Sequence, residues 1–151
     1  AMQAAMPIVE KQLKATGGKR TSVGKVVAGT VAGDIHSIGK SMLCTLLVAD
    51  GFEVIDLGID VPVGRFVEAV REHRPDLVAM SALLTITAME QKNVIEELKE
   101  AGVRETVKVI VGGGAISDAF AASIGADGYD PTAPGGVTLC RQLLSKDILA
   151  T

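Results

Sequence analysis

The chain has 151 residues, close to the size of one domain, and its 48% hydrophobic and 22% charged content excludes both a disordered polymer and a membrane protein. A net charge of −3 and 3% aromatic residues argue against nucleic-acid binding, which needs a basic face and stacking rings. Apolar runs such as Leu77–Met80 reach four residues, where a membrane helix needs about 20.

No basic stretch leads into an apolar core at the amino end, so no signal peptide is read. Cys44 and Cys140 each fall inside an apolar helical pattern. That suits small buried thiols in a cytoplasmic protein better than a disulfide framework. At the amino end, Ala1–Lys14 reads as the last turns of a helix and Thr16–Ser22 as a polar linker. Residues 1–22 are therefore expected to be the remnant of a helical cap domain that precedes the chain, and 23–151 one α/β domain.

From there strands and helices alternate. Lys25–Thr30 is a short β-rich run, and Ile38–Ala49 places Ile38, Met42, Leu43, Leu46 and Leu47 at helical spacing. Phe52–Leu57 reads as the second strand. A helix begins near Pro62, with Phe66, Val67 and Val70 on one face, and Pro75 stops it. Asp76–Ser81 is the third strand. Thr87–Ala101 is a helix with Met89, Val94, Ile95 and Leu98 inward. Val107–Val111 is the fourth strand, Ser117–Ile124 a short helix, Gly128-Tyr129 a brief fifth strand, and Val137–Leu149 the closing helix.

Short apolar strands, each followed by a helix, require a parallel sheet covered on both faces. Right-handed crossovers and five β/α units favour a flavodoxin-like (Rossmann-like) five-stranded parallel sheet of order 2-1-3-4-5. Ligands of such sheets bind beyond the carboxyl ends of the strands, where the first and third strands part.

The loop after the first strand, Gly33-Asp34-Ile35-His36-Ser37-Ile38-Gly39-Lys40-Ser41, is the richest in chemistry. A P-loop requires four residues between its first Gly and Gly-Lys-Ser, and Gly33 to Gly39 encloses five. Gly29, Gly33 and Gly39 are too widely spaced for a Rossmann fingerprint. His36 stands two residues from Asp34. A metal-ligating imidazole must be neutral and usually donates its second nitrogen to a carboxylate, a role Asp34 can fill. Equally, Asp34 can cap the next helix and leave His36 a solvated loop residue. His73, at a helix end, is explained by the helix dipole and is assigned no function. No second cluster of ligands exists in the sequence, and one protein ligand cannot hold a free zinc ion. A metal on His36 must arrive inside a cofactor.

The spacing resembles the cobalamin-binding domain shared by methionine synthase, corrinoid methyltransferase proteins and some mutases. Asp34-Ile35-His36-Ser37-Ile38-Gly39 is followed after 41 residues by Ser81-Ala82-Leu83, and after a further 28 by Gly112-Gly113. The resemblance runs from about Gly24 to the end and is nearest to corrinoid proteins of methanol or methylamine systems. It implies a cobalamin whose benzimidazole tail leaves cobalt for a slot in the domain, with His36 as the lower metal ligand. Gly33, Asp34, Ile35, His36, Ser37, Ile38 and Gly39 would meet the corrin and tail, and Ser81 would hydrogen-bond the tail base. Leu83 and Thr85 would line the slot, Gly112 and Gly113 would leave it room, and Ala133 would close its far side. His36, Asp34 and Thr87 would form a proton relay.

The implied role is a corrinoid methyl carrier, holding methylcobalamin when loaded. It would be a subunit or domain of a methyltransferase system rather than a complete catalyst. Its partners would be a donor-specific methyltransferase, an acceptor methyltransferase and a reductive-activation protein, with neither nucleic acid nor membrane among them. The competing readings are the cobalamin-binding subunit of an adenosylcobalamin mutase and a corrinoid-sensing regulatory module. A receiver-like signalling domain would need acidic residues where Thr30 and Ser81 end the first and third strands.

Overall fold

The computed structural model describes residues 23–150, so the expected remnant helix and linker over 1–22 lie outside the described residues. The elements are β1 (Lys25–Thr30), α1 (Ile38–Ala49), β2 (Glu53–Asp56), α2 (Val63–His73), β3 (Leu77–Ser81), α3 (Thr85–Glu100), β4 (Lys108–Gly112), α4 (Asp118–Ile124), β5 (Gly128–Tyr129) and α5 (Ala133–Ala150), with a 3₁₀ turn at Arg104–Thr106. The five strands are all parallel, in the order β2-β1-β3-β4-β5. This is the expected flavodoxin-like architecture.

Strand side chains alternate between the faces, and two cores result. Val27, Val78, Met80, Val109 and Val111 pack with Phe66, Val70, Val94, Ile95 and Leu98 on the side of α2, α3 and α4. Val26, Ala28, Leu77, Ala79 and Ile110 pack with Cys44, Leu47, Cys140 and Leu143 of α1 and α5. Burying each larger aliphatic or aromatic side chain contributes about 1.5–3 kcal/mol, so the central strands hold the fold together.

Register puts two rows of side chains, small except for Ile110, on the α1/α5 face at the carboxyl end of the sheet. Ala28 pairs with Ala79, and Ala79 with Ile110; two residues on, Thr30 pairs with Ser81 and Ser81 with Gly112. Lower down, Leu47 and Leu143 fill the space over Val26 and Leu77. At the upper end Leu43 and Leu139 leave part of that space open, and that is the cavity described below.

Three expectations change. Met89 is 47% exposed, not inward, because the buried stripe of α3 runs through Thr87, Gln91, Val94, Ile95 and Leu98, and Met89 lies about 200° around the helix from Gln91. On α1, Ile38 and Met42 are exposed, and the inward face is Lys40, Cys44 and Leu47. The last helix starts at Ala133, four residues before Val137. Pro134 suits a first turn, and the Thr132 hydroxyl caps by accepting from the Gly135 N–H at 3.0 Å. Gly135 and Gly136 are there for close approach rather than for a turn: a Cβ on Gly135 would collide with the Asp130 carboxylate, and one on Gly136 would lie 2.9 Å from Leu43 Cδ1 of α1.

Candidate cofactor site

Thr30, the fully buried end of β1, aims its hydroxyl at the His36 carbonyl at 3.0 Å and so shapes the turn that presents the imidazole. The Asp34 carboxylate lies beneath that turn with its side chain wholly buried. Its Oδ1 accepts from the His36 N–H at 3.0 Å and meets His36 Nδ1 at 2.8 Å. Its Oδ2 accepts from the Leu83 N–H and the Thr87 hydroxyl, both at 2.7 Å. Burial alone would raise the Asp34 pKa, but these hydrogen bonds outweigh it and hold the carboxyl far below its usual range. An ionised Asp34 fixes the ring proton on Nδ1, which leaves the Nε2 lone pair free. The His36 side chain is 51% exposed, so Nε2 is available to a ligand. Asp34 does not cap α1, whose N-cap is Ser37 without a side-chain bond.

Thr87 serves the site and its own helix together. It is the third residue of α3, and its hydroxyl oxygen accepts from the Leu84 N–H at 3.3 Å while its proton goes to Asp34. That contact explains why α3 begins at Thr85 rather than at Thr87.

Beside His36 opens a cavity of about 690 Å³, within the usual range for small-molecule sites. Its floor includes Ala28, Ala79, Ser81, Ile110 and Gly112 of β1, β3 and β4, and its walls are α1 and α5, which meet at Leu43 and Gly136. Of the expected residues, Ile35, His36, Ser37, Ile38 and Gly39 line it from the first loop, Ser81 and Leu83 from the third, Gly112 and Gly113 from the fourth, and Ala133 from α5. Asp34 and Thr87 act from beneath the imidazole instead. Gly33, at φ 81°, donates its N–H to Asp60 at 2.7 Å and does not line the cavity. Thr85 is exposed at the first turn of α3 and is not among the residues that line this cavity.

The sequence reading missed Ala28, Ala79, Leu43, Gly136 and Lys40. Lys40 is 7% exposed and holds both oxygens of Asp56 at 2.9 and 2.8 Å, tying α1 to the end of β2. The two cysteines, free and buried, are pushed up by desolvation, Cys44 to about 11 and Cys140 to about 12.

Does this arrangement fit a cobalamin? Among the described residues no cluster of three or more His, Cys, Asp or Glu side chains could hold a bare ion, so a metal on His36 must bring its other ligands with it. On the loops after β1 and β3 and at the start of α1, Ile35, Ile38, Leu83 and Leu84 are 69%, 80%, 42% and 46% exposed, apolar surface of the kind a macrocycle face would cover. The Ser81 hydroxyl carries no hydrogen bond among the described residues and lines the cavity, ready for a polar atom of a base. The donor set and the cavity fit the cofactor.

The Asp34 network also predicts a pH dependence. A carboxyl whose pKa is lowered on folding contributes stability that is present above its unfolded pKa and is lost as pH falls through the lowered folded value. Asp34→Asn should cost about 2–3 kcal/mol at pH 7. The gap between variant and wild type should narrow below about pH 4. Urea unfolding across pH 3–7 measures both, and a gap independent of pH would contradict the assignment.

Comparison with known proteins agrees with this geometry. The family model described as "B12 binding domain" matches residues 24–137. The trimethylamine corrinoid protein 2 of Methanosarcina acetivorans is 44% identical over 137 residues, covering 91% of this chain and 63% of the relative. The crystal structure of a cobalamin-binding protein from Desulfitobacterium hafniense superposes with a TM-score of 0.79 at 36% identity, over 90% of this chain and 66% of the other. The methanol:cobalamin methyltransferase complex of Methanosarcina barkeri gives 0.79 at 31% identity, over 87% of this chain and 50% of the other. The chain thus spans about two thirds or less of these relatives' length. With that family model matching residues 24–137, a stretch that holds the five-stranded sheet, the Asp34-fixed imidazole and most of the slot, the chain belongs to the B12-binding domain family.

Proposed function

We propose that this domain binds cobalamin with His36 as the lower ligand and the tail in the slot, and carries a methyl group between two methyltransferases. The observation that carries the reading is a half-exposed imidazole, fixed by a buried carboxylate, at the mouth of an apolar cavity. When bound, the corrinoid supplies a cobalt centre able to accept and release a methyl group; the organometallic chemistry is the cofactor's.

The chain's residues supply binding, orientation and a proton. While Nε2 is engaged, Nδ1–H stays on Asp34. With no metal on it, Nε2 could hold a proton, and the imidazolium would then rest against an ionised Asp34 that the Leu83 N–H and the Thr87 hydroxyl keep in place. Ser81 orients the tail base, and Gly113, which has no Cβ to strike the Ala82 backbone, lets the exits of β3 and β4 pack together beside the slot.

Relatives named for trimethylamine and for methanol share this domain, which supports placing the choice of donor in a partner enzyme and disfavours the mutase and sensor readings. The partners of this reading are a donor-specific methyltransferase, an acceptor methyltransferase and a reductive activator. Among the described residues no helix is long and apolar enough to cross a membrane. Two buried free thiols are in keeping with a cytoplasmic location.

The test is hydroxocobalamin binding followed by desalting and absorbance spectroscopy. Wild type should stay coloured, with an imidazole-ligated, base-off spectrum. His36→Ala should keep the corrinoid through the slot but show a changed axial ligand. Colourless wild-type protein, or a spectrum that the substitution leaves untouched, overturns the proposal. Methyl transfer from loaded protein to candidate acceptor methyltransferases then tests the carrier role.

A further inference from the structure

Gln91 lies one turn beyond Thr87 on the buried stripe of α3 and is fully buried among Val94, Ile95 and Leu98. An apolar side chain would suit that position better. The amide instead reaches the end of the sheet, where Nε2 donates to the Met80 carbonyl at 3.2 Å and the Gly112 carbonyl at 3.3 Å. Its Oε1 is buried and, among the described residues, has no hydrogen-bond partner. Reversing the amide would set that oxygen against two carbonyl oxygens, so the orientation is determined.

The two carbonyls belong to β3 and β4 just where the strands end. Met80 and Gly112 both line the slot, and Gly112 O also accepts from the Ala82 N–H at 3.1 Å. One residue on, Gly113 at φ 122° packs its backbone against Ala82. Gln91 therefore fastens the exits of β3 and β4 from behind the sheet, while the slot opens on the opposite face. Thr87 anchors the imidazole half of the site through Asp34, and Gln91, four residues later, anchors the slot half.

We infer that Gln91 is a positioning residue that sets the slot's width and so the fit of the corrinoid's base-bearing tail, without acting on His36. This rests on the cobalamin reading and goes beyond it in separating tail recognition from metal ligation.

The test compares hydroxocobalamin with diaquacobinamide, which has the ring but no base, on wild type and on Gln91→Met, an unbranched replacement of similar volume. Hydroxocobalamin affinity should fall about tenfold, which is about 1.4 kcal/mol. Cobinamide affinity should stay within about twofold on the same arithmetic, with an unchanged imidazole-ligated spectrum. Equal loss for both ligands, or none for either, overturns the inference. If wild type binds neither corrinoid, the cobalamin reading itself falls. Should Gln91→Met not fold, the wild-type side-chain amide decides: its Nε2 proton resonances should shift on adding hydroxocobalamin and not on adding cobinamide. Identical responses to the two overturn the proposal.

Discussion

Gly113→Ala should unfold or severely destabilise the domain, by about 2–6 kcal/mol when backbone strain and overpacking are combined. Gly113 has φ 122°, outside what a side chain tolerates, and a new Cβ would stand 2.7 Å from the Ala82 carbonyl carbon and 2.9 Å from its nitrogen. Those are backbone atoms and cannot swing aside. Ala82 is held by its N–H on Gly112, and the next residue by the Leu83 N–H on Asp34, so any retreat breaks the network that orients His36. The loss should therefore appear twice, as a lower urea midpoint and, in whatever fraction folds, as weaker corrinoid binding. Gly39→Ala is the control, since a Cβ there meets nothing within 4 Å and its effect on stability should be small. A Gly113→Ala protein as stable as wild type would mean that the β3 and β4 exits are not packed as described.

Most of the frame was legible because parallel strands buried on both faces leave an apolar signal that little else produces, and the crossover rules then admit few orders. Asp34, His36 and Thr87 were legible for a different reason. His36 stands out as one of only two histidines, whereas the relay roles of Asp34 and Thr87 entered through the resemblance to the cobalamin-binding family, whose spacing runs from Gly39 to Ser81 and from Leu83 to Gly112. The slot was not legible. Ala28 and Ala79 look like any apolar residues in a strand, and only register shows that they pair side by side on the floor of a cavity. Lys40 and Gln91 were passed over because charge and amide ordinarily mark a solvated face, whereas here one is neutralised by Asp56 and the other caps two strand ends. The pattern predicts the closing helix from Val137, and it begins at Ala133, because Gly135 and Gly136 allow the close approach of α5 to Asp130 and Leu43, a tertiary contact.

Ser81→Leu should abolish tail binding and leave the fold intact. Ser81 ends β3, and its carbonyl accepts from the Val31 N–H at 3.1 Å, a bond the substitution keeps. Its side chain is half-buried and lines the cavity on the same face as Ala79, so an added isobutyl group extends over the floor of small residues. Filling apolar space with an apolar side chain costs the protein little, and unfolding midpoints should differ by less than about 1 kcal/mol. The tail base loses its room and the hydroxyl together, and hydroxocobalamin affinity should fall by at least about a hundredfold, about 2.7 kcal/mol. Diaquacobinamide asks only for His36 and its apolar surroundings, so it should bind nearly as before. Ser81→Ala separates the two causes, because it removes the hydroxyl but keeps the volume and should cost only about 0.5–1.5 kcal/mol. A graded series, with alanine mild, leucine severe and cobinamide indifferent to both, is the behaviour of a slot that recognises a base. Equal losses for cobalamin and cobinamide would place the tail somewhere else on the domain.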